Sequence, residues 1–144
     1  MEQMNLIKKN AGMDIKVMLS TLWAFLLFNY IYCDLFTAFD PKIMKSLVMT
    51  GSSGGFEFTQ GFLLGFSVIM EIPIAMFLLS RILDYKFNRW ANIIAGIIMT
   101  VVQVSSLFGS PTIYYIFFSI IEIACLIVIV WLAWKWPKFE NKIT

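Results

Sequence analysis

The sequence predicts an all-α protein, a four-helix transmembrane bundle with both termini cytoplasmic and a short interfacial helix in its first outer loop. Three observations predict it. The 144-residue chain is 60% hydrophobic and 14% charged, whereas soluble domains carry about 45–50% apolar and about 25% charged residues. Its apolar residues gather into four runs near the ~20 residues that a helix needs to cross about 30 Å of hydrocarbon. Its Lys and Arg residues alternate from one side of those runs to the other. A chain this short cannot bury so much apolar surface in one aqueous core. Lipid is therefore the solvent for most of it, and 1–144 reads as a single membrane domain.

The first span covers about 17–37. It is too long for the core of a signal peptide, and no small-residue cleavage pattern follows it. Next comes "DPKIMKSLVM", where Asp40 is placed to cap and Pro41 to open a helix. Ile43, Met44, Leu47 and Val48 share one face of that segment and Lys42, Lys45 and Ser46 the other. This division predicts an interfacial helix over 41–48. "TGSSGG" then reads as a flexible hinge. It is not a phosphate loop, since no strand precedes it and no Gly-Lys-Ser/Thr closes it. The second span covers 58–80, with Pro73 expected to remove one backbone bond and kink it. The third covers 90–108 and the fourth 112–134, joined through "GSPT" as a tight hairpin.

Lys8, Lys9, Lys16, Arg81, Lys86, Arg89, Lys135, Lys138 and Lys142 fall on one side of the spans, and only Lys42 and Lys45 on the other. Nine against two is a positive-inside bias that puts both termini in the cytoplasm. Trp90, Trp131, Trp134 and Trp136 read as an aromatic belt on the inner side, and Tyr30, Tyr32, Tyr114 and Tyr115 as one on the outer.

Composition also excludes. No histidine is present, which removes imidazole metal sites and Ser-His catalysis. Cys33 and Cys125 sit on different apolar runs and read as small hydrophobes rather than a redox pair. No cofactor and no metal site is expected. The net charge of +2 is small and split between apolar runs, so nucleic acid is not an expected partner.

Each span carries a polar stripe at helical spacing. These are Asn29, Cys33 and Thr37, with Tyr30 and Asp34 adjacent; Gln60, Ser67, Glu71 and Ala75; Asn92, Gly96, Met99, Gln103 and Ser106; and Tyr115, Ser119, Glu122 and Cys125. Lipid cannot satisfy such groups, so the stripes are expected to face inward. Counted at ~1.5 Å per residue, the polar groups fall between the bilayer middle and its outer half. The inner half reads as apolar, which predicts an outward-opening pocket.

Glu71 and Glu122 hold the sharpest chemistry. No Lys or Arg lies in any span to pair with them. An ionised carboxylate there costs at least about 2.5–3.5 kcal/mol, so the neutral acid is the cheaper state. The candidate ligand- or proton-binding set is Glu71, Glu122, Gln103, Asn29, Ser67, Ser119, Tyr30, Asp34 and Gln60. The bland alternative makes both acids interhelical hydrogen-bond glue, each contributing ~0.6–2 kcal/mol. "FSVIMEI" and "FSIIEI" hint at a parallel repeat of two hairpins, matched across a one-residue gap. "GFLLG", and more loosely Ala91 with Ala95, fit the small-xxx-small packing pattern, which makes a homodimer through small-residue faces a candidate assembly.

The segments "NYIYCD", "TQGFLLG", "MEIPIAM", "NRWAN" and "YYIFFSIIEI" resemble a family of small bacterial four-helix integral membrane proteins without assigned activity. In general build that family is similar to the DoxX-like proteins. The resemblance implies a four-helix bundle in a bacterial plasma membrane, and it transfers no catalytic residue or substrate. Three functions remain open. The first is binding or transport of a small apolar or cationic molecule, with lipid as neighbour and a proton as the linked species. The second is an intramembrane enzyme using the glutamates as acid and base on a lipid-like substrate. The third is a non-catalytic subunit of a membrane complex.

Overall fold

The computed structural model describes residues 2–53, 55–108 and 111–136, with side chains from residue 15 onward. Gly54, Gly109, Ser110, Lys138, Lys142 and the side chains of Lys8 and Lys9 lie outside that description. In chain order the elements are α1 (Glu2–Phe39), α2 (Pro41–Thr50), β1 (Ser52–Ser53), β2 (Phe56–Glu57), α3 (Gln60–Ile82), α4 (Tyr85–Ser106) and α5 (Ile113–Lys135). Four of the helices, α1 and α3 to α5, are long and apolar enough to cross a membrane. Their outward surface fits that solvent, because Phe28, Leu64, Val68, Val101, Ile120 and Ile127 are each more than half exposed. Water would not tolerate so continuous an apolar surface.

α2 starts as its sequence dictates. The Asp40 carboxylate accepts from the Lys42 and Ile43 backbone amides, Pro41 opens the helix, and Gly51 ends it at φ +65°. The segment expected to be a flexible hinge is instead a short antiparallel hairpin, pairing Ser52 with Glu57 and Ser53 with Phe56. Gly55, at φ +85°, supplies left-handed backbone in the turn that closes so short a hairpin. Phe62 stacks on Phe56 at 5.7 Å and meets Phe58 edge-on at 5.4 Å, which seats the hairpin on the first turns of α3.

α4 packs most extensively on α5, α1 lies against both α3 and α5, and α3 meets α4 more sparingly. The core is Leu19, Trp23 and Leu26 of α1, Met76 of α3, Met99 of α4, and Leu126 and Ile129 of α5. Close α4–α5 approach depends on Gly96, where a Cβ would come within 2.6 Å of Val130 Cγ2. α3 runs unbroken through Pro73. Two expected belt residues belong to the core: Tyr30 is 7% exposed, and Trp136 is 3% exposed, with its ring edge-on to Tyr85 at 5.1 Å. Trp90, Trp131, Trp134 and Tyr32 do lie on the surface.

The end of the bundle that carries Lys16, Arg81, Arg89 and Lys135 is hydrogen-bonded across helices. Trp23 Nε1 donates to Asn92 Oδ1 at 2.7 Å, and Ser80 Oγ donates to the same oxygen at 3.2 Å. Asn92 Nδ2 donates to Asn88 Oδ1 at 2.7 Å, and Asn88 Nδ2 to the Ser80 carbonyl at 2.6 Å. Ser20 Oγ donates to the Phe77 carbonyl and accepts from Arg81 Nε. Trp23, Ser20, Ser80, Asn88 and Asn92 are all fully buried. The helix ends there are closed by side chains as well: Lys16 Nζ donates to the Leu83 carbonyl, Arg89 to that of Trp134 and Tyr85 to that of Trp136. These bonds satisfy carbonyls that a helix C-terminus leaves without partners. The half expected to be apolar thus holds a buried polar clasp joining α1, α3 and α4.

Candidate functional site: a buried carboxyl between α1, α4 and α5

α5 buries Ser119, Glu122, Cys125, Leu126, Ile129 and Ala133. Steps of three and four residues keep these on one face. α4 answers with Asn92, Ala95, Gly96, Met99 and Gln103, and α1 with Leu19, Trp23, Leu26, Tyr30 and Cys33. Where the three faces meet, Glu122 is 1% exposed and neither of its carboxyl oxygens makes a well-formed hydrogen bond among the described residues. The Gln103 amide lies close enough to offer the carboxyl a weak hydrogen bond, while its Nε2 makes a well-formed bond to Ser119 Oγ at 2.9 Å. Ser119 in turn donates to the Tyr115 carbonyl at 2.8 Å. The buried Tyr30 hydroxyl is partnerless too. Tyr30, Cys33 and Cys125 all lie near the Glu122 carboxyl. Asp34 is the other carboxyl near Glu122, and it stands exposed on α1.

The expected set therefore divides. Glu122, Gln103, Ser119 and Tyr30 come together, with Asp34 beside them at the surface. Asn29 is half-buried and turns its amide back onto the Phe25 carbonyl of its own helix. Gln60, Ser67 and Glu71 are exposed, and Ser67 bonds only to the Leu63 carbonyl. The inward face of α3 is instead Pro73, Met76 and Ser80. The expectation of one pocket shared by Glu71 and Glu122 is thus corrected, since Glu71 points away from the core. The reason is that the azimuth of α3 is set by Ser20, Asn88 and Asn92, which bond its Phe77–Ser80 turn, and not by its own polar stripe.

Two hollows, of about 390 and 430 Å³, are apolar grooves on the outer surface. One lies between α1 and α5 over Leu22, Phe25 and Ala124, and the other between α4 and α5 over Thr100, Ile127 and Trp131. Among the described residues no cluster of three or more His, Cys, Asp or Glu side chains could hold a metal ion. Sequence reading missed the clasp residues Ser20, Trp23, Ser80 and Asn88. The signal available was Asn88 with Asn92, two amides four residues apart at the start of an apolar helix.

Fold and site together define a membrane-type helical protein built around one buried, hydrogen-bond-deficient carboxyl. Over residues 8–143 the chain matches a family of unknown function (DUF6326), and it belongs to that family. No curated protein and no solved structure matches it.

Proposed function

We infer that this chain is a multi-pass protein of a bacterial plasma membrane, with both termini cytoplasmic and α2 lying in the outer interface. Its Glu122 holds an exchangeable proton or small cation in the course of binding or transporting a small apolar or cationic molecule. The observation that carries this reading is the pair of Glu122 oxygens, buried and without a well-formed hydrogen bond among the described residues. A carboxyl kept purely as structural glue would have its bonds made, because a buried polar group left unpaired costs about 1–3 kcal/mol. Conversely, an acid that has to release and regain a proton or cation needs unfilled coordination. The Tyr30 hydroxyl, Gln103, Ser119 and Asp34 supply a polar surround of the kind such an exchange uses. The Lys/Arg distribution supports the orientation.

Difference infrared spectroscopy of the protein in lipid tests the reading. The acid carbonyl band of Glu122 is expected to respond to pH and to added tetraphenylphosphonium, a lipophilic cation, and to vanish in Glu122→Gln while the fold is retained. A Glu122 band unmoved by both treatments would overturn it and leave the structural-subunit reading.

A further inference from the structure

We propose that the outward face of α3 is the surface on which a second copy of this chain docks, with the two Glu71 carboxyls meeting each other across the contact. Glu71 is the middle residue of α3, eleven positions from Gln60 and eleven from Ile82. It is exposed on the side of the helix opposite Pro73, Met76 and Ser80. In a membrane that position is lipid at about mid-depth, where a carboxyl finds neither water nor any polar group to bond.

The residues around it form a seam. Gly61, Leu64, Val68, Glu71, Ala75, Leu78 and Ile82 recur at alternating steps of three and four, the spacing by which two helices pack along their length. Leu64, Val68, Leu78 and Ile82 are between 57% and 72% exposed. Gly61 and Gly65 have nothing within 4 Å of where a Cβ would stand. The contrast with Gly96, whose space is filled by α5, marks α3 as the helix whose close-approach positions have no occupant among the described residues.

Complementarity selects the occupant. The spans hold no Lys or Arg to offer as an ion partner, but a neutral carboxylic acid is at once donor and acceptor and so complements itself. Copies of one chain share one orientation in the membrane, because they share one charge bias. Two α3 helices then run parallel and bring equal residues level, Glu71 opposite Glu71. A single polar residue in an apolar seam fixes register and partner number in this way. The inference rests on the four helices spanning lipid in one shared orientation and on a Glu71 carboxyl that carries its proton there, and it stands apart from the role given to Glu122.

The test uses the full chain in phosphatidylcholine vesicles, with donor and acceptor fluorophores fused after Thr144. Energy transfer is expected to fall on lipid dilution as for a dimer. Glu71→Leu should weaken association about 3- to 30-fold, the range of one membrane hydrogen bond. Glu71→Gln, whose amide also donates and accepts, should stay within about threefold of the parent. In a chain lacking Cys33 and Cys125, Leu78→Cys should form a disulfide-linked dimer, and Ile120→Cys on α5 should not. A monomer at every density, unchanged transfer in Glu71→Leu, equal loss in Glu71→Gln, or cross-linking of Leu78→Cys to a different protein would each overturn the proposal.

Discussion

Glu71 and Glu122 sit in nearly the same words of sequence, "IMEI" and "IIEI", each near the middle of an apolar helix of 23 residues. In the folded chain their surroundings are opposite. Glu122 is enclosed by three helices and left without a well-formed hydrogen bond, whereas Glu71 faces outward from the bundle. Asn92 supplies the third case, a buried polar side chain with every bond made. Depth along a helix and direction around it are separate variables, and hydrogen-bond satisfaction is separate from both.

The largest expected effect removes the difference between the two acids. Inserted as isolated helices, α3 with Glu71→Leu and α5 with Glu122→Leu should each partition into the bilayer about 3 kcal/mol more favourably than the parent helix. A glycosylation-mapping assay reads this, and a large gap between the two would mean that more than depth acts at this stage. Next comes the folded chain. Asn92→Leu should lose about 2–3 kcal/mol, because Trp23 Nε1 and Asn88 Oδ1 are left buried without partners. Glu122→Leu, similar in size, should lose nothing and gain about 1 kcal/mol, since its own oxygens were unpaired. Unfolding from lipid–detergent mixtures checks both, and a Glu122→Leu penalty matching that of Asn92→Leu would mean Glu122 is bonded after all.

The small residues give a milder contrast. Gly96→Ala should cost about 1–3 kcal/mol through overpacking on Val130. Gly65→Ala meets open space and should gain a few tenths up to about 1 kcal/mol from helix propensity alone. Smallest of all, Glu71→Gln should leave the stability of the isolated monomer within about 0.5 kcal/mol, with thermal melting in detergent as the measure.

The helices themselves were legible because length and apolarity are written locally. So were the inward faces of α4 and α5, whose Asn92–Gln103 and Ser119–Cys125 stripes coincide with what is buried. The helices α1 and α4 extend before the apolar runs, beginning at Glu2 and Tyr85, because charged first turns can be helical without being apolar. α3 was misjudged for a physical reason. The rule that polar stripes turn inward assumes that a lone chain must satisfy its own polar groups. α3 instead presents Pro73, Met76 and Ser80 to its neighbours, and the bonds that fix this come from Ser20, Asn88 and Asn92, remote in sequence. No window of the α3 sequence contains that information.

The bond from Trp23 to Asn92 joins residues 69 positions apart. During synthesis the indole therefore enters the bilayer well before its acceptor has been made, and at that stage its N–H has nowhere better to point than the headgroup region or the insertion machinery. α1 and α3 can meet early, through Ser20 and the Phe77 carbonyl, but they cannot lock. The arrival of α4 delivers Asn88 and Asn92 together and closes the clasp in one step. Biogenesis then has a natural checkpoint: a chain truncated before residue 88 should remain a substrate for membrane quality control, and one that has released α4 should not.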